Sequence, residues 1–287
     1  VAANAGDPNT NNPPLNTPQL GCSYPHNGAN CPKVSSDVAR SGVKSSRSMA
    51  CLPGAACAPV SFIDKLPTRI HSEVRKGASM FHQDYWYGFS THIPQAMNSE
   101  GFKIIAQWHS ITGALELTGK GSPPLAIHVG PSQLILWRRW NLCDGCPQQP
   151  PGSRAETTDL GTWTVGQWID WVFHIRWSWE NDGLLQIWKN GQLIVNRPNI
   201  PMGYFDLEGA PNFGLGIYTP STQSPIVMYH DNIRMATAAP GENAFSLVDP
   251  SSGPPSSPCN QYTPVSPVPS LFASPFWIAS NPSTHLI

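Results

Sequence analysis

The stretch WIDWVFHIRW, residues 168–177, alternates with a period of two. Ile169, Trp171, Phe173, Ile175 and Trp177 fall on one face, and Asp170, His174 and Arg176 on the other. A β-strand sends successive side chains to opposite faces, so this segment reads as a strand with one face on an apolar core. The same period recurs at 69–76, 85–93, 102–109, 124–129, 133–140, 184–189, 192–196, 213–218 and 226–235. Asn190 and Gly191 separate two of these runs and supply the tight turn of a hairpin. With no helical periodicity among them, the runs predict an all-β protein, a two-sheet antiparallel β-sandwich of jelly-roll type over residues 59–240.

Composition agrees with that class. Charged residues are 12% of the chain, whereas Pro (31), Gly (24) and Trp (11) are abundant, which suits turn-rich β structure better than helix packing. A net charge of −1 excludes a globally basic nucleic-acid binder. No apolar run reaches the roughly 20 residues of a bilayer-spanning helix, so no membrane partner is expected. Between Lys65 and Trp140, however, 8 Lys or Arg stand against 4 Asp or Glu, an excess suited to lining a groove for a polyanion.

The 7 cysteines, at 22, 31, 51, 57, 143, 146 and 259, sit among Gly, Pro and Asn. Short-range disulfides in an oxidising compartment are the expectation, with Cys22–Cys31 and Cys51–Cys57 closing the shortest loops. Cys143 and Cys146 have CxxC spacing, but they lie in CDGCPQQPPG without a second CxxC or a βαβ context, so they read as a loop staple. The start at Val1 is read as that of a secreted chain whose signal peptide has been removed. Residues 1–58 and 241–287 lack periodicity and are expected to be, respectively, an irregular Cys/Pro/Asn-rich extension and a Pro/Ser-rich segment.

Alternation also assigns side chains to the outer face of the sandwich. In FKIIAQWH (102–109), Phe102, Ile104, Ala106 and Trp108 are expected inward, placing Lys103, Ile105, Gln107 and His109 outward. In RIHSEVRK (69–76), Arg69, His71, Glu73 and Arg75 point outward together. In NFGLGIYT (212–219), Gly214, Gly216 and Tyr218 do so, and the two glycines would let a sugar approach the strand closely. Trp137 and Trp140 lie on opposite faces of their strand, so one of them is available to stack on a sugar ring, while His71, His128 and His174 read as structural or peripheral.

The order SEVR (72–75), QWH (107–109) and GIY (216–218) resembles the Arg-Ser-Glu-Leu, Gln-X-His and Lys-X-Gly-X-Tyr blocks of the alginate, glucuronan and heparin-I-type lyases. The spans YWYGFSTHIP, WIDWVFHIRWS, GLLQIWKNG and MYHDNIRM are similar to the glucuronan and heparin-I-type branch. The likeness covers residues 68–236 and implies a concanavalin A-like jelly roll that cleaves an acidic, uronate-containing polysaccharide by β-elimination. In this chain His71 replaces the Arg that often opens the first block, and Gly214 replaces the Lys of the third.

The reaction removes the weakly acidic C5 proton next to a carboxylate and expels the O4-linked sugar. The site must therefore neutralise the carboxylate, and it needs a base at C5 and an acid at O4. The resemblance implies that Tyr218 protonates the leaving oxygen, and it leaves open whether Tyr218 or His109 takes the C5 proton. It makes His109 either the base or a carboxylate partner, and Gln107 and Arg75 the carboxylate's neutralising groups. Glu73, His71, Lys103 and Arg138 complete the expected substrate-binding set. No cofactor is required. A structural calcium ion at Asp231 in MYHDNIRM is left open, and the chain is expected to act as a monomer.

Two other classes compete. A glycoside hydrolase on this sandwich needs paired carboxylates, usually on a Glu-X-Asp-X-X-Glu strand, and the sequence has none. A lectin-like or extracellular matrix protein would keep the groove without a poised His and Tyr.

Overall fold

The computed structural model describes residues 3–4, 32–50, 69–76, 79–109, 122–141, 153–204, 210–220 and 225–252. For 3–4 and 69–76 the description covers the backbone, with the side chains of Ser72 and Glu73. The chain divides into two compact units, Val1–Pro254 and Pro255–Ile287, and every described residue belongs to the first. All seven cysteines, and with them both expected disulfides, lie outside the described residues.

The strands are β1 (Ala3–Asn4), β2 (Lys33–Ser35), β3 (Ser45–Ala50), β4 (Arg69–Lys76), β5 (Asp84–His92), β6 (Ile104–His109) and β7 (Leu125–Val129), followed by β8 (Gln133–Asn141), β9 (Ser153–Thr162), β10 (Trp168–Arg176), β11 (Ser178–Lys189), β12 (Gln192–Met202), β13 (Asn212–Pro220) and β14 (Ile226–Ala238). One short helix, α1 (Phe245–Val248), follows. One sheet has the order β12-β11-β10-β5-β14-β3-β2, with β1 also on β14, and the other has the order β4-β13-β6-β7-β8-β9. The ladders within both are antiparallel.

Between the sheets, Trp108, Trp171, Phe173 and Ile217 are fully buried in one core, on the face their alternation predicts. The 189–192 hairpin closes as expected, with Lys189 opposite Gln192 and positive φ at both Asn190 (51°) and Gly191 (78°).

Four features depart from the sequence reading. Strand β9, SRAETTDLGT, is a polar edge strand with no clean alternation, and it is bound by its ladder to β8. Strands β2 and β3, inside the expected irregular extension, complete the β10 sheet. They are tied down by polar contacts, not by an apolar stripe. Arg40 grips Asp170 through Nε (3.1 Å) and Nη2 (2.9 Å), and the backbone N–H groups of Arg40 and Ser41 donate to the Asp231 carboxylate. At the other end, α1 packs on the outer face of the β10 sheet with Trp86, Val172 and Ala236. The backbones come so close there that a Cβ on Gly88 would lie 1.7 Å from the Val248 carbonyl oxygen.

The fourth departure reverses part of a predicted face. The pairing of β6 with β7 slips between Ile104 and Ala106, and that of β13 with β6 slips between Leu215 and Tyr218. Ile105 consequently enters the core, while Ile104 joins Phe102 and Tyr218 on the outer face. A one-residue irregularity in a strand of period two inverts everything on one side of it.

Candidate active site

Strand β13 lies between β4 and β6 in the β6 sheet. Leu215 and Ile217 fill its inner face, so Gly214 and Gly216 stand on the outer face. Gly214 is directly opposite both Arg75 on β4 and Gln107 on β6, and Gly216 is opposite Glu73. The side chains of Glu73 and Gln107 meet over β13: the Gln107 amide Nε2 donates to both Glu73 carboxylate oxygens at 2.8 Å. At Gly216 the backbone itself requires glycine, because φ is 151° and a Cβ would lie 2.0 Å from the Ser72 carbonyl oxygen. The two glycines stand beside the Glu73–Gln107 pair on the face where the sequence reading expects a sugar to approach.

The bridge is buried, with Gln107 at 0% and Glu73 at 5% exposure. It changes what Gln107 offers. Its donors face Glu73, while Oε1 is buried with no hydrogen-bond partner among the described residues. An amide held this way is oriented by a carboxylate and does not present its N–H groups to a second carboxylate.

His109, two residues along β6 and opposite Asn212, is partly exposed on the same side as Gln107. Tyr218 lies the other way, opposite His71 and Ile104. Its ring packs edge-on against Phe102 with centroids 4.9 Å apart, in an apolar cluster with Ile104 and Ala126. Measured along β6, Tyr218 is three positions from Gln107, roughly 10 Å at the strand rise, and five from His109, roughly 17 Å. The structure thus puts Gln107, His109 and Tyr218 on one face, as phase predicted, but it does not bring Tyr218 directly against His109. They stand at opposite ends of the Glu73–Gln107 bridge.

Two expected substrate-binding cations are engaged elsewhere. Lys103, beyond the slip in β6, is 3% exposed and donates through Nζ to the carbonyls of Asn98 (3.1 Å) and Glu100 (2.5 Å). Arg138 is 5% exposed, donates through Nε to Glu156 Oε1 (2.8 Å) and through Nη1 to the Pro201 carbonyl, and stacks on Trp140. Glu156 also pairs with Arg197 of β12, so this cluster ties the edges of the two sheets together. The side chains of His71 and Arg75 lie outside the description, and their backbone positions are fixed by pairing with Tyr218 and Gly214.

On the outer face of β7 and β8 stand His128, Trp137 and Arg139, of which the sequence reading singled out only Trp137 as a sugar contact, together with Trp140. Burial pushes the His128 imidazole down to about 4, helped by the neighbouring Arg139 charge, so the ring is neutral at physiological pH. At Asp231 the carboxylate accepts backbone N–H bonds from Arg40, Ser41 and Asn232. Among the described residues no group of three His, Cys, Asp or Glu side chains is placed to hold a metal ion.

Comparison with known proteins gives the chain its family. A family model described as polysaccharide lyase matches residues 25–234. The chain belongs to that family. As a polysaccharide lyase it is an enzyme acting on a polysaccharide, which removes the hydrolase and lectin alternatives. The endo-β-1,4-glucuronan lyase of the fungus Trichoderma reesei superposes on the lyase with a TM-score of 0.60 at 21% identity, over 76% of this chain and 89% of that one. Alginate lyase A1-II′, of polysaccharide lyase family 7, matches at 15% identity and a TM-score of 0.46, over 68% and 80% of the two chains. An alginate lyase of Pseudomonas aeruginosa matches at 18% identity and a TM-score of 0.41, over 68% and 83%. A search of curated protein sequences finds no relative.

Proposed function

We propose that the lyase is secreted and cleaves a uronic-acid-containing polysaccharide, of glucuronan, alginate or heparinoid type, by β-elimination on the outer face of the β6 sheet. The observation that carries this reading is the in-register row Arg75–Gly214–Gln107, with His109 on one flank and Tyr218 on the other. A uronate ring lying over the Glu73–Gln107 bridge sits between Tyr218 and His109 along the strands, and because their backbones are roughly 17 Å apart each side chain must lean toward the bridge to reach it.

Each group then has a task. Arg75 and His109 neutralise the carboxylate, so that removing the C5 proton does not build an unshielded dianion. Tyr218 takes the C5 proton and returns one to the departing O4 oxygen, as the match of GIY to the lyase blocks implies. Glu73 holds Gln107, which positions the floor beneath the ring.

The test is a screen of the purified protein against glucuronan, alginate, heparin, heparan sulfate and pectate. Formation of a C4=C5 double bond is followed by ultraviolet absorbance and new chain ends by reducing-end assay. Unsaturated product from one of these uronans is expected. New reducing ends without unsaturation, or no cleavage of any of them, would overturn the reading.

A further inference from the structure

The register that places Gln107 also defines what lies beside it. Across the β6 sheet, Gln107 is opposite Ala126 of β7, Ala126 is opposite Trp137 of β8, and Trp137 is opposite Thr157 of β9. Ala126 is a small residue between two large ones, and it is fully buried, so the row has a low point between Gln107 and Trp137. The backbone of Arg139 donates to the Pro124 carbonyl at 2.7 Å, which aligns Arg139 with the next row, at the level of His109. Trp137 and Arg139 are both partly exposed, and two strand spacings, roughly 10 Å, separate them from Gln107 and His109.

These two residues form one unit. The Arg139 guanidinium lies 4.9 Å from the centre of the Trp137 ring, and the neutral His128 ring meets Trp137 at a tilt of 42°, with centroids 5.6 Å apart. The Trp137 orientation is thus set before any ligand arrives. Arg139 differs from most of the paired arginines. Arg40, Arg138, Arg176 and Arg197 each pair with a carboxylate, but among the described residues no carboxylate pairs with Arg139. One nitrogen, Nη1, donates to the Pro123 carbonyl at 2.9 Å, and burial holds its pKa below the ordinary arginine value. A half-buried guanidinium has lost solvation that a counter-ion would restore, and its planar fork matches a carboxylate.

Resting on the proposed reading of the face as a uronan-cleaving site, we propose that Trp137 and Arg139 form a separate subsite. It holds a uronate unit of the same chain away from the one undergoing elimination. The sugar's apolar face lies on the Trp137 indole, and its carboxylate pairs with the free side of the Arg139 fork. The polysaccharide then crosses the strands from β6 toward β9, dipping over Ala126. The subsite selects for chains charged at successive units and sets the shortest chain that binds well.

The experiment measures steady-state kinetics of Trp137→Ala, Trp137→Phe, Arg139→Met and Arg139→Lys on the uronan the wild-type enzyme cleaves, at low and high ionic strength. Thermal melting of each variant confirms that it is folded. Trp137→Ala and Arg139→Met are expected to raise KM about tenfold or more, with kcat changed far less, because each removes binding away from the reacting bond. Trp137→Phe and Arg139→Lys, which keep a ring and a charge, should recover part of that loss. The rise of KM with salt should be shallower in Arg139→Met than in wild type and unaltered in Trp137→Ala, since only the arginine contact is ionic. Unchanged KM in both folded truncations, or an equal fall in kcat and kcat/KM, would overturn the subsite. A wild-type enzyme that yields no unsaturated product would instead overturn the lyase chemistry on which the subsite rests. In that case direct titration with uronan oligomers, comparing wild type with Arg139→Met, still decides whether the arginine binds a carboxylate.

Discussion

Gln107 and Glu73 show how little a single residue type says about its task. Gln107 was expected to neutralise a substrate carboxylate, yet the carboxylate it meets is the protein's own. Replacing Gln107 by Ala leaves Glu73 buried without that donor and should cost roughly 1 to 3 kcal/mol in urea unfolding. Combining it with Glu73→Gln should cost less than the two single changes added together, a coupling above about 0.5 kcal/mol. Strict additivity would mean that the bridge contributes nothing. Tyr218 is tested differently. Tyr218→Phe keeps the edge-on packing against Phe102 and should leave KM nearly intact while lowering turnover by about 10² to 10⁴. A fully active Tyr218→Phe enzyme would remove Tyr218 from the proton transfers.

At the scale of elements, two glycines hold backbones together in places with opposite consequences for activity. Gly216→Ala places a methyl group against the Ser72 carbonyl and forces β4 away from β13 under the Glu73–Gln107 bridge. Overpacking of this kind costs about 1 to 3 kcal/mol, and here it should abolish turnover along with stability. Gly88→Ala meets the Val248 carbonyl, on the outer face of the opposite sheet. It should loosen α1 and expose residues 241–252 to proteolysis while elimination persists. Limited digestion and product assays on the two variants separate these effects, and loss of turnover in Gly88→Ala would tie α1 to the site.

The molecule as a whole carries histidines that must stay neutral to remain folded. Burial drives His230, inside the core, down to about 3 and His128 down to about 4, from 6.5 when unperturbed. As pH falls below about 6.5 the unfolded chain takes up protons at these positions and the folded one does not. Stability is therefore complete above that pH and declines toward pH 4 and below. Melting curves between pH 7 and 4 should show a falling Tm. His128→Phe, which keeps a ring between Phe102 and Trp137, should flatten the part of that fall above about pH 4. A Tm independent of pH across the range would show that these rings are not buried in solution.

What the sequence determined by itself was the set of faces. Strict alternation in WIDWVFHIRW and NFGLGIYT placed Trp171, Phe173 and Ile217 in the core and Tyr218 outside, because a strand's period is fixed by its backbone whatever surrounds it. The polysaccharide lyase blocks were legible for the same reason, as short runs on strands of known phase. Tertiary structure decided everything that depends on register between strands. The slip beside Ile104 turned Lys103 away from the site, and the pairing of β13 with its neighbours set Tyr218 apart from His109 and joined Glu73 to Gln107. The ladder of β8 with β7 and β9 put Arg139, not Arg138, on the outer face. Polar strands such as β3 and β9 escaped notice because backbone ladders and ion pairs hold them without an apolar stripe. Those partners are distant in sequence, and one strand's side-chain pattern carries no record of which residue on the next strand will stand opposite it.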